Sequence, residues 1–305
     1  MRYVVTGAAG FIGSHLAEAL VQAGHDVTGI DCFTDSYDPA EKEENARGLD
    51  VRRLDLAAAP LDLDGVDGVF HLAAQAGVRS FGDVFPLYLR RNVLATQRVF
   101  EAAAAAGARV AFASSSSVYG EAQTYPTPES ADLRPISPYG ITKLACEHLA
   151  RAYAAGFGLD AVVLRYFTVY GPRQRPDMFF RRVCDALLDS TPFEIYGSGA
   201  QSRSFTEVGD AVAATVAAME RAPAGAIYNV GGGDEASVLE AIASLEQLSG
   251  RRLDVRHIGV ATGDVRRTKA DVSRIRDALG WEPRTPLGDG LSRMWVWASG
   301  RVAAR

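Results

Sequence analysis

Lysine is scarce in this chain: the basic side chains are nearly all arginine, and only Lys42, Lys143 and Lys269 break the pattern. A lysine at a chemically meaningful spacing is therefore hard to ascribe to composition. Cysteine is scarce too. Cys32, Cys146 and Cys184 are odd in number and contain no CxxC pair, which excludes a disulfide framework and reads as reduced thiols in a cytoplasmic protein. No run approaches the ~20 apolar residues of a membrane span. Met1-Arg2 leads straight into Tyr3-Val4-Val5-Thr6 without a charged-then-apolar leader, so neither membrane insertion nor export is expected. A formal net charge of -5 argues against nucleic acid as the main partner. Repeats and low-complexity tails are lacking as well. What remains, 305 residues with 48% apolar and 23% charged side chains, suffices for two domains or one large domain with an appended lobe.

The first half alternates short β-rich runs with helical stretches. Strands are expected at Tyr3–Thr6, Val27–Asp31, Val51–Leu54, Val69–Leu72, Arg109–Ser114 and Ala161–Arg165. Helices are expected over Phe11–Ala23, from Pro86 to about Gly107, and from Pro138 toward Tyr153. Apolar strands separated by helices mean βαβ units, hence an α/β fold with a parallel sheet covered on both faces. The right-handed crossover rule then favours the doubly wound nucleotide-binding sheet. After Arg165 prolines and glycines multiply and the elements shorten, as in a smaller mixed α/β lobe. The stretches Glu207–Arg221 and Ala226–Val230 are expected to return to the first domain. The expected division is 1–167 with about 206–230 for the sheet domain, and 168–205 with 231–305 for the lobe.

Between the first strand and first helix stands Thr6-Gly7-Ala8-Ala9-Gly10-Phe11-Ile12-Gly13. A glycine-rich turn of this kind lets backbone approach a pyrophosphate, while the helix N-terminus supplies N–H groups and partial positive charge. Asp31 closes the second strand, where a carboxylate accepts from ribose hydroxyls and repels a 2′-phosphate. Cys32 and Phe33 follow without an arginine, which favours NAD over NADP. Asp55 and Leu56, after the third strand, either flank the adenine or make an ordinary helix cap.

Tyr139 and Lys143 lie one turn apart on one helix face. An ammonium beside a phenol favours phenolate and draws the tyrosine down from ~10 toward working pH, which makes it a general base for an alcohol proton. The run Ser114-Ser115-Ser116-Ser117 follows the fifth strand, where hydroxyls at the carboxyl end of a parallel strand face the ligand crevice.

Together these residues resemble the extended short-chain dehydrogenase/reductase superfamily, in its nucleotide-sugar branch. The landmarks run over nearly the whole chain. They are the glycine turn, Asp31, His71-Leu72-Ala73-Ala74-Gln75, Asn92, the serine run with Val118-Tyr119-Gly120, and Tyr139/Lys143; then Arg165 to Pro172, Arg203-Ser204-Phe205-Thr206 and Gly263-Asp264-Val265. The resemblance implies a Rossmann-like doubly wound sheet with a smaller mixed α/β lobe for a UDP-sugar. It implies NAD contacts at Gly7, Gly10, Phe11, Ile12, Gly13, Ala73, Asn92, Tyr166 and Val169. It makes Ser115 the catalytic hydroxyl beside Tyr139 and Lys143. It puts Tyr196 near the uracil, Arg203 near the diphosphate and Asp264 on the uridine ribose. Relatives often carry an arginine just before that Gly-Asp pair; here Val260-Ala261-Thr262 stand there, leaving open whether Arg266 substitutes. A homodimer through the helices near Asn92–Ala106 and Pro138–Ala155 is also implied, and no metal.

Within the branch, dehydratases carry Asp-Glu where this chain has Ser116-Ser117, and UDP-glucuronate decarboxylases carry glutamate at Ser117. The Thr168 position usually holds asparagine in galactose-type epimerases. The Arg165–Pro172 run followed by Arg175-Pro176-Asp177-Met178, and the Gln75–Arg79 run, are most similar to UDP-glucuronate 4-epimerases. A carboxylate on carbon 5 needs neutral or positive donors; Arg79, Ser116, Ser117, Thr168 and Arg175 are the candidates, with no acidic residue expected to compete. UDP-glucose or UDP-N-acetylglucosamine 4-epimerisation is the alternative. UDP-glucuronate decarboxylation and a non-catalytic NAD sensor are the more distant ones.

Overall fold

The computed structural model describes residues 1–77, 82–259 and 267–303. Six strands of the first half are β1 (Arg2–Thr6), β2 (Asp26–Asp31), β3 (Val51–Arg53), β4 (Gly68–His71), β5 (Arg109–Ser115) and β6 (Ala161–Tyr166). They are followed by β7 (Thr168–Tyr170), β8 (Phe193–Tyr196), β9 (Ser202–Glu207), β10 (Ile227–Val230), β11 (Glu235–Ser237), β12 (Val255–Ile258) and β13 (Arg267–Thr268). The helices are α1 (Phe11–Gln22), α2 (Pro39–Asn45), α3 (Phe85–Tyr88), α4 (Ala95–Ala106), α5 (Pro138–Phe157), α6 (Phe179–Asp189), α7 (Val208–Arg221), α8 (Val238–Ser249), α9 (Ser273–Leu279) and α10 (Leu287–Ala303). None of the described helices is long and apolar enough to cross a membrane.

The main sheet has seven strands in the order β10-β6-β5-β4-β1-β2-β3, and every pairing in it is parallel. The central strands read as unbroken apolar runs because both faces are covered: β4 and β6 are buried at every position. One face packs Tyr3, Val5 and Phe70 against Leu16 and Leu20 of α1 and Ala211 and Ala214 of α7. The other packs Val4, Val69 and Val110 against Val99 and Phe100 of α4 and Cys146 and Ala150 of α5. Successive strands lie on either side of β1, from β1 outward through β2 and β3, and from β4 outward through β5, β6 and β10. The chain therefore reverses direction between β1 and β4, and a crevice opens there at the carboxyl ends of the strands.

A second sheet has the order β11-β9-β13, with β7 also pairing β9, and β12 pairs β8 separately. Its core is Tyr170, Phe180, Phe193 and Phe205 under α6, α8 and α10, with Leu291 and Met294 fully buried. The strand β10 returns from this region to the edge of the main sheet beside β6.

One element departs from its sequence pattern. The helix expected from Pro86 to Gly107 is not uniform: a π-helical stretch at Leu89–Leu94 separates α3 from α4. Asn92 sits in that widened turn. Its side chain accepts from Gln75 N–H at 2.7 Å and donates to Gln75 C=O at 3.1 Å and to Thr142 Oγ1 at 3.0 Å. The widened turn spends regular helix bonding at the point where one amide spans the loop after β4 and helix α5.

Candidate active site

The crevice holds a cavity of about 520 Å³ that extends from the glycine turn to α5. At one end Gly7 takes φ +73°, and a Cβ there would stand 2.9 Å from Ala73 N. A Cβ on Gly13 would collide with the Gly7 carbonyl, so β1, the turn and α1 close up only with glycine at both places. No side chain caps the first turn of α1, which begins at the cavity wall. Asp31 is fixed by two backbone donors, Ala9 N–H at 3.2 Å and Phe33 N–H at 2.8 Å. This cradle of close backbone, an uncapped helix start and an anchored carboxylate fits a dinucleotide's pyrophosphate and ribose.

Gly10, Phe11, Ile12, Leu56, Ala73, Tyr166 and Val169 line the same cavity. Asp55 both lines it and caps the turn after β3, accepting from Ala57 N–H at 2.9 Å and from Arg90 at 2.7 Å. Burial alone would raise its carboxyl, but these two donors hold it below the usual carboxylate range. Asn92 does not line the cavity; it stands one layer behind, holding Gln75.

At the inner end, α5 starts at Ser137, whose hydroxyl accepts from Gly140 N–H at 3.1 Å. A Cβ on Gly140 would stand 2.5 Å from Ser117 C=O, so glycine lets the helix start lie against the serine turn. That contact brings Tyr139 to Ser115 within hydrogen-bonding reach. Ser115 also accepts from Ser117 N–H at 3.1 Å and lies 3.1 Å from Ser117 Oγ. Lys143 donates to Ala113 C=O at 2.7 Å, with its ammonium 5.8 Å from the Tyr139 ring centre.

The electrostatics differ from the sequence expectation. Burial raises the Tyr139 phenol above its usual value, opposed by the Arg175 guanidinium and the Ser115 hydroxyl. The lysine one turn on donates to the Ala113 carbonyl, and among the described residues the Arg175 guanidinium is what offsets the charge of a phenolate there. Lys143 itself is pushed down to about 8 by burial, and buried His71 down to about 3, chiefly by burial and then by Lys143. His71 is thus a neutral imidazole between Thr6 Oγ1 at 2.7 Å and Thr96 Oγ1 at 2.9 Å.

The outer wall is Thr168, Arg175, Asp177 and Met178. Arg175 was expected to meet no acidic competitor, yet Asp177 takes both its Nε and Nη2 at 2.9 Å each. Ser116 and Ser117 do not line the cavity, and Ser117 reaches it only through Ser115. Tyr196 on β8 and Arg203 on β9 lie outside it. Arg79, Asp264 and Arg266 fall outside the described residues. Sequence reading passed over Tyr37 and Lys42. Lys42 is buried, donates to Thr34 C=O at 2.8 Å and Thr34 Oγ1 at 2.6 Å, and its ammonium stands 4.7 Å over the Tyr37 ring. The scarcity of lysine was the available signal. Among the described residues no three His, Cys, Asp or Glu side chains converge as a metal site requires.

Behind the serine turn lies a buried ion pair. Glu147, on the same helix as Lys143, accepts from Arg165 Nε at 3.0 Å and Nη2 at 2.7 Å and from Ser114 Oγ at 2.5 Å. Arg165 also donates to Tyr119 Oη at 2.8 Å, and Tyr119 donates to Asn229 Oδ1 at 2.7 Å. Four elements, β5, β6, α5 and β10, are thereby tied at one point beneath the site.

The model of the NAD dependent epimerase/dehydratase family matches residues 3–231. A Bacillus subtilis protein named as an uncharacterized UDP-glucose epimerase, YtcB, is 42% identical, over 98% of each chain. A Thermodesulfobacterium geofontis UDP-glucuronate 4-epimerase is 34% identical, over 98% of this chain and 97% of its own. Among solved structures, the UDP-glucuronic acid 4-epimerase of Bacillus cereus in complex with UDP-glucuronic acid and NAD superposes with a TM-score of 0.94 at 38% identity, over 99% of this chain and 100% of that one.

Removing one half of the Glu147–Arg165 pair strands the other in a dry interior. Arg165→Met is expected to lose about 3–5 kcal/mol in urea unfolding, and Glu147→Leu combined with Arg165→Met to recover most of it. A single-variant loss below about 1 kcal/mol would show that the pair behaves as an exposed one.

Proposed function

We propose, from the premise that the chain belongs to the NAD dependent epimerase/dehydratase family, that it interconverts UDP-glucuronate and UDP-galacturonate at carbon 4. The reaction class is epimerisation of a nucleotide sugar, and NAD is the cofactor. The observation that carries the reading is the meeting of Tyr139, Ser115 and Lys143 in the same cavity as the glycine turn and Asp31.

When bound, the nicotinamide accepts and returns hydride and brings a positive charge close to the phenol. The chain's own groups do the rest. Tyr139 takes the proton of the sugar 4-hydroxyl, and Ser115 bonds that oxygen and relays its proton. Burial makes the neutral phenol the resting form, so Tyr139 serves as base only after its own proton has left to solvent and cations offset the phenolate charge. Arg175 is one such cation. Lys143, fixed on the Ala113 carbonyl, keeps positive charge at the floor of the site. Arg203 and the residues around it anchor the nucleotide while the 4-keto sugar turns its other face.

A uronate adds a hazard, since a carboxylate beside a 4-ketone is a β-keto acid. It loses carbon dioxide when the breaking bond aligns with the carbonyl π system. Thr168 and Arg175 form the wall that would hold the carboxylate out of that alignment, and no carboxylate side chain occupies the Ser115–Ser117 turn. The name of the Bacillus subtilis relative supports a second reading, a UDP-glucose substrate.

Exposed apolar side chains lie on two neighbouring helical stretches: Phe85, Leu89 and Leu94 before α4, and Ile141 near the start of α5. They support a homodimer through this face, where they would form the apolar centre of an isologous helix contact. The three unpaired cysteines support a reducing, cytoplasmic setting.

Incubation with UDP-glucuronate, UDP-glucose and UDP-N-acetylglucosamine, with products resolved by NMR, tests the substrate; turnover of the neutral sugars alone would overturn the uronate reading. Thr168→Ala should lower epimerisation relative to carbon dioxide release, and an unchanged product ratio would remove Thr168 from this role. Tyr139→Phe should cut kcat by roughly two to four orders of magnitude while NAD stays bound. A sensor protein would lose nothing. Ile141→Asp should sediment as a monomer where the wild type sediments as a dimer.

A further inference from the structure

Two walls of the cofactor cavity come from parts of the chain far apart in sequence. One is the loop after β2 with helix α2, carrying Thr34, Tyr37 and Lys42; the other is the segment before α6, carrying Arg175, Asp177 and Met178. Each wall is braced on its own side. Lys42 ties the loop to α2, and Asn45 Nδ2 donates to Ala9 C=O in the glycine turn at 3.2 Å. Arg181 N–H donates to Gln174 Oε1 at 3.0 Å and its Nη1 to Gln174 C=O at 3.4 Å, next to Arg175.

Glu41 joins the walls. Its carboxylate accepts from Arg181 Nη1 at 3.2 Å and Nη2 at 3.1 Å, and from Arg301 Nη2 of the last helix at 2.6 Å. Both guanidiniums also lie over the Trp297 ring, at 5.1 Å and 4.9 Å. The junction is largely sheltered from water: the Arg181 side chain is 5% exposed and that of Glu41 16%. Burial would raise the Glu41 carboxyl, yet the two arginines hold it below its usual value. Charge-assisted bonds in such a setting are stronger than exposed pairs.

We infer that Glu41 is a positioning residue for the reaction: its clasp on Arg181 and Arg301 holds the two walls together, retaining the dinucleotide through the cycle and keeping the Arg175 segment over the sugar. An epimerase reduces and reoxidises one cofactor molecule, so losing the reduced form between the two hydride transfers ends the turnover. The clasp lies next to the lining: Glu41 adjoins Lys42, and Arg181 bonds Gln174 beside Arg175. This inference rests on the proposed NAD-dependent epimerisation.

The test is release of NAD from purified holoenzyme, followed with an added dehydrogenase that captures free cofactor, for wild type, Glu41→Gln, Arg301→Met and Glu43→Gln. Glu43 pairs with Arg53 on the surface and serves as control. The expectation is release about tenfold faster for Glu41→Gln, a smaller rise for Arg301→Met, and none for Glu43→Gln. Addition of UDP-sugar should leave reduced nicotinamide, seen by its absorbance, in Glu41→Gln but not in wild type. In Glu41→Gln, Arg181 Nε keeps its bonds to Asp185 at 3.0 Å and 2.8 Å, so thermal unfolding of the NAD-free protein should fall far less than in Arg165→Met, which separates a clasp from a general brace. Wild-type release rates in Glu41→Gln, or faster release matched by an equal loss of apo stability, would overturn the inference. A wild type that holds no NAD would instead overturn the functional reading.

Discussion

A carboxylate and a guanidinium, both removed from water, meet where the strands end beneath Ser115, Tyr139 and Lys143: Glu147 and Arg165, with 0% and 2% of their side chains exposed. Such a pair holds only if nearly every lone pair and N–H is matched. Here the matching partners are Ser114, Tyr119 and the Glu129 carbonyl. The requirement fixes the rotamer of Ser114 and hence the path of Ser115. It also sets the height of α5, which carries Tyr139 and Lys143. The geometry around Ser115 and Tyr139 is thus inherited from a pair that does not itself line the cavity.

Burial acts on the site in two opposite ways. It raises the phenol of Tyr139 and lowers the ammonium of Lys143, so both groups resist their charged forms. Cations supplied at the time of reaction then count for more than they would in water. Arg175 is one, drawn in by the segment before α6 and oriented by Asp177. The charge of a bound nicotinamide is another.

The parts of this site that sequence reading reached are those built from short-range rules. The glycine turn follows from the spacing of Gly7, Gly10 and Gly13 between a strand and a helix. The Tyr139/Lys143 pair follows from the helical period, and the parallel sheet of six strands follows from apolar runs alternating with helices, with β10 joining as a seventh. The π-turn at Leu89–Leu94 escaped, because its sequence is an ordinary helical one and its cause is Asn92 reaching two distant elements. For the same reason the sequence did not show that the Asn92 amide is taken up by the Gln75 backbone and Thr142. Lys143 was rightly placed on the Tyr139 face, but its direction was not legible: a backbone carbonyl on β5 claims it.

What the amino-acid order determined by itself is chemistry in short segments: where phosphate can approach backbone, which phenol has an ammonium one turn away, and which strands are buried on both faces. These depend on steric limits and periodicities that act within a few residues. The tertiary structure alone decided which charges meet. Asp177 claims Arg175, Arg165 claims Glu147, and Glu41 reaches residues 140 and 260 positions away. Such meetings depend on the packing of layers to within an ångström, and packing at that precision is a property of the whole chain, invisible in any window of it.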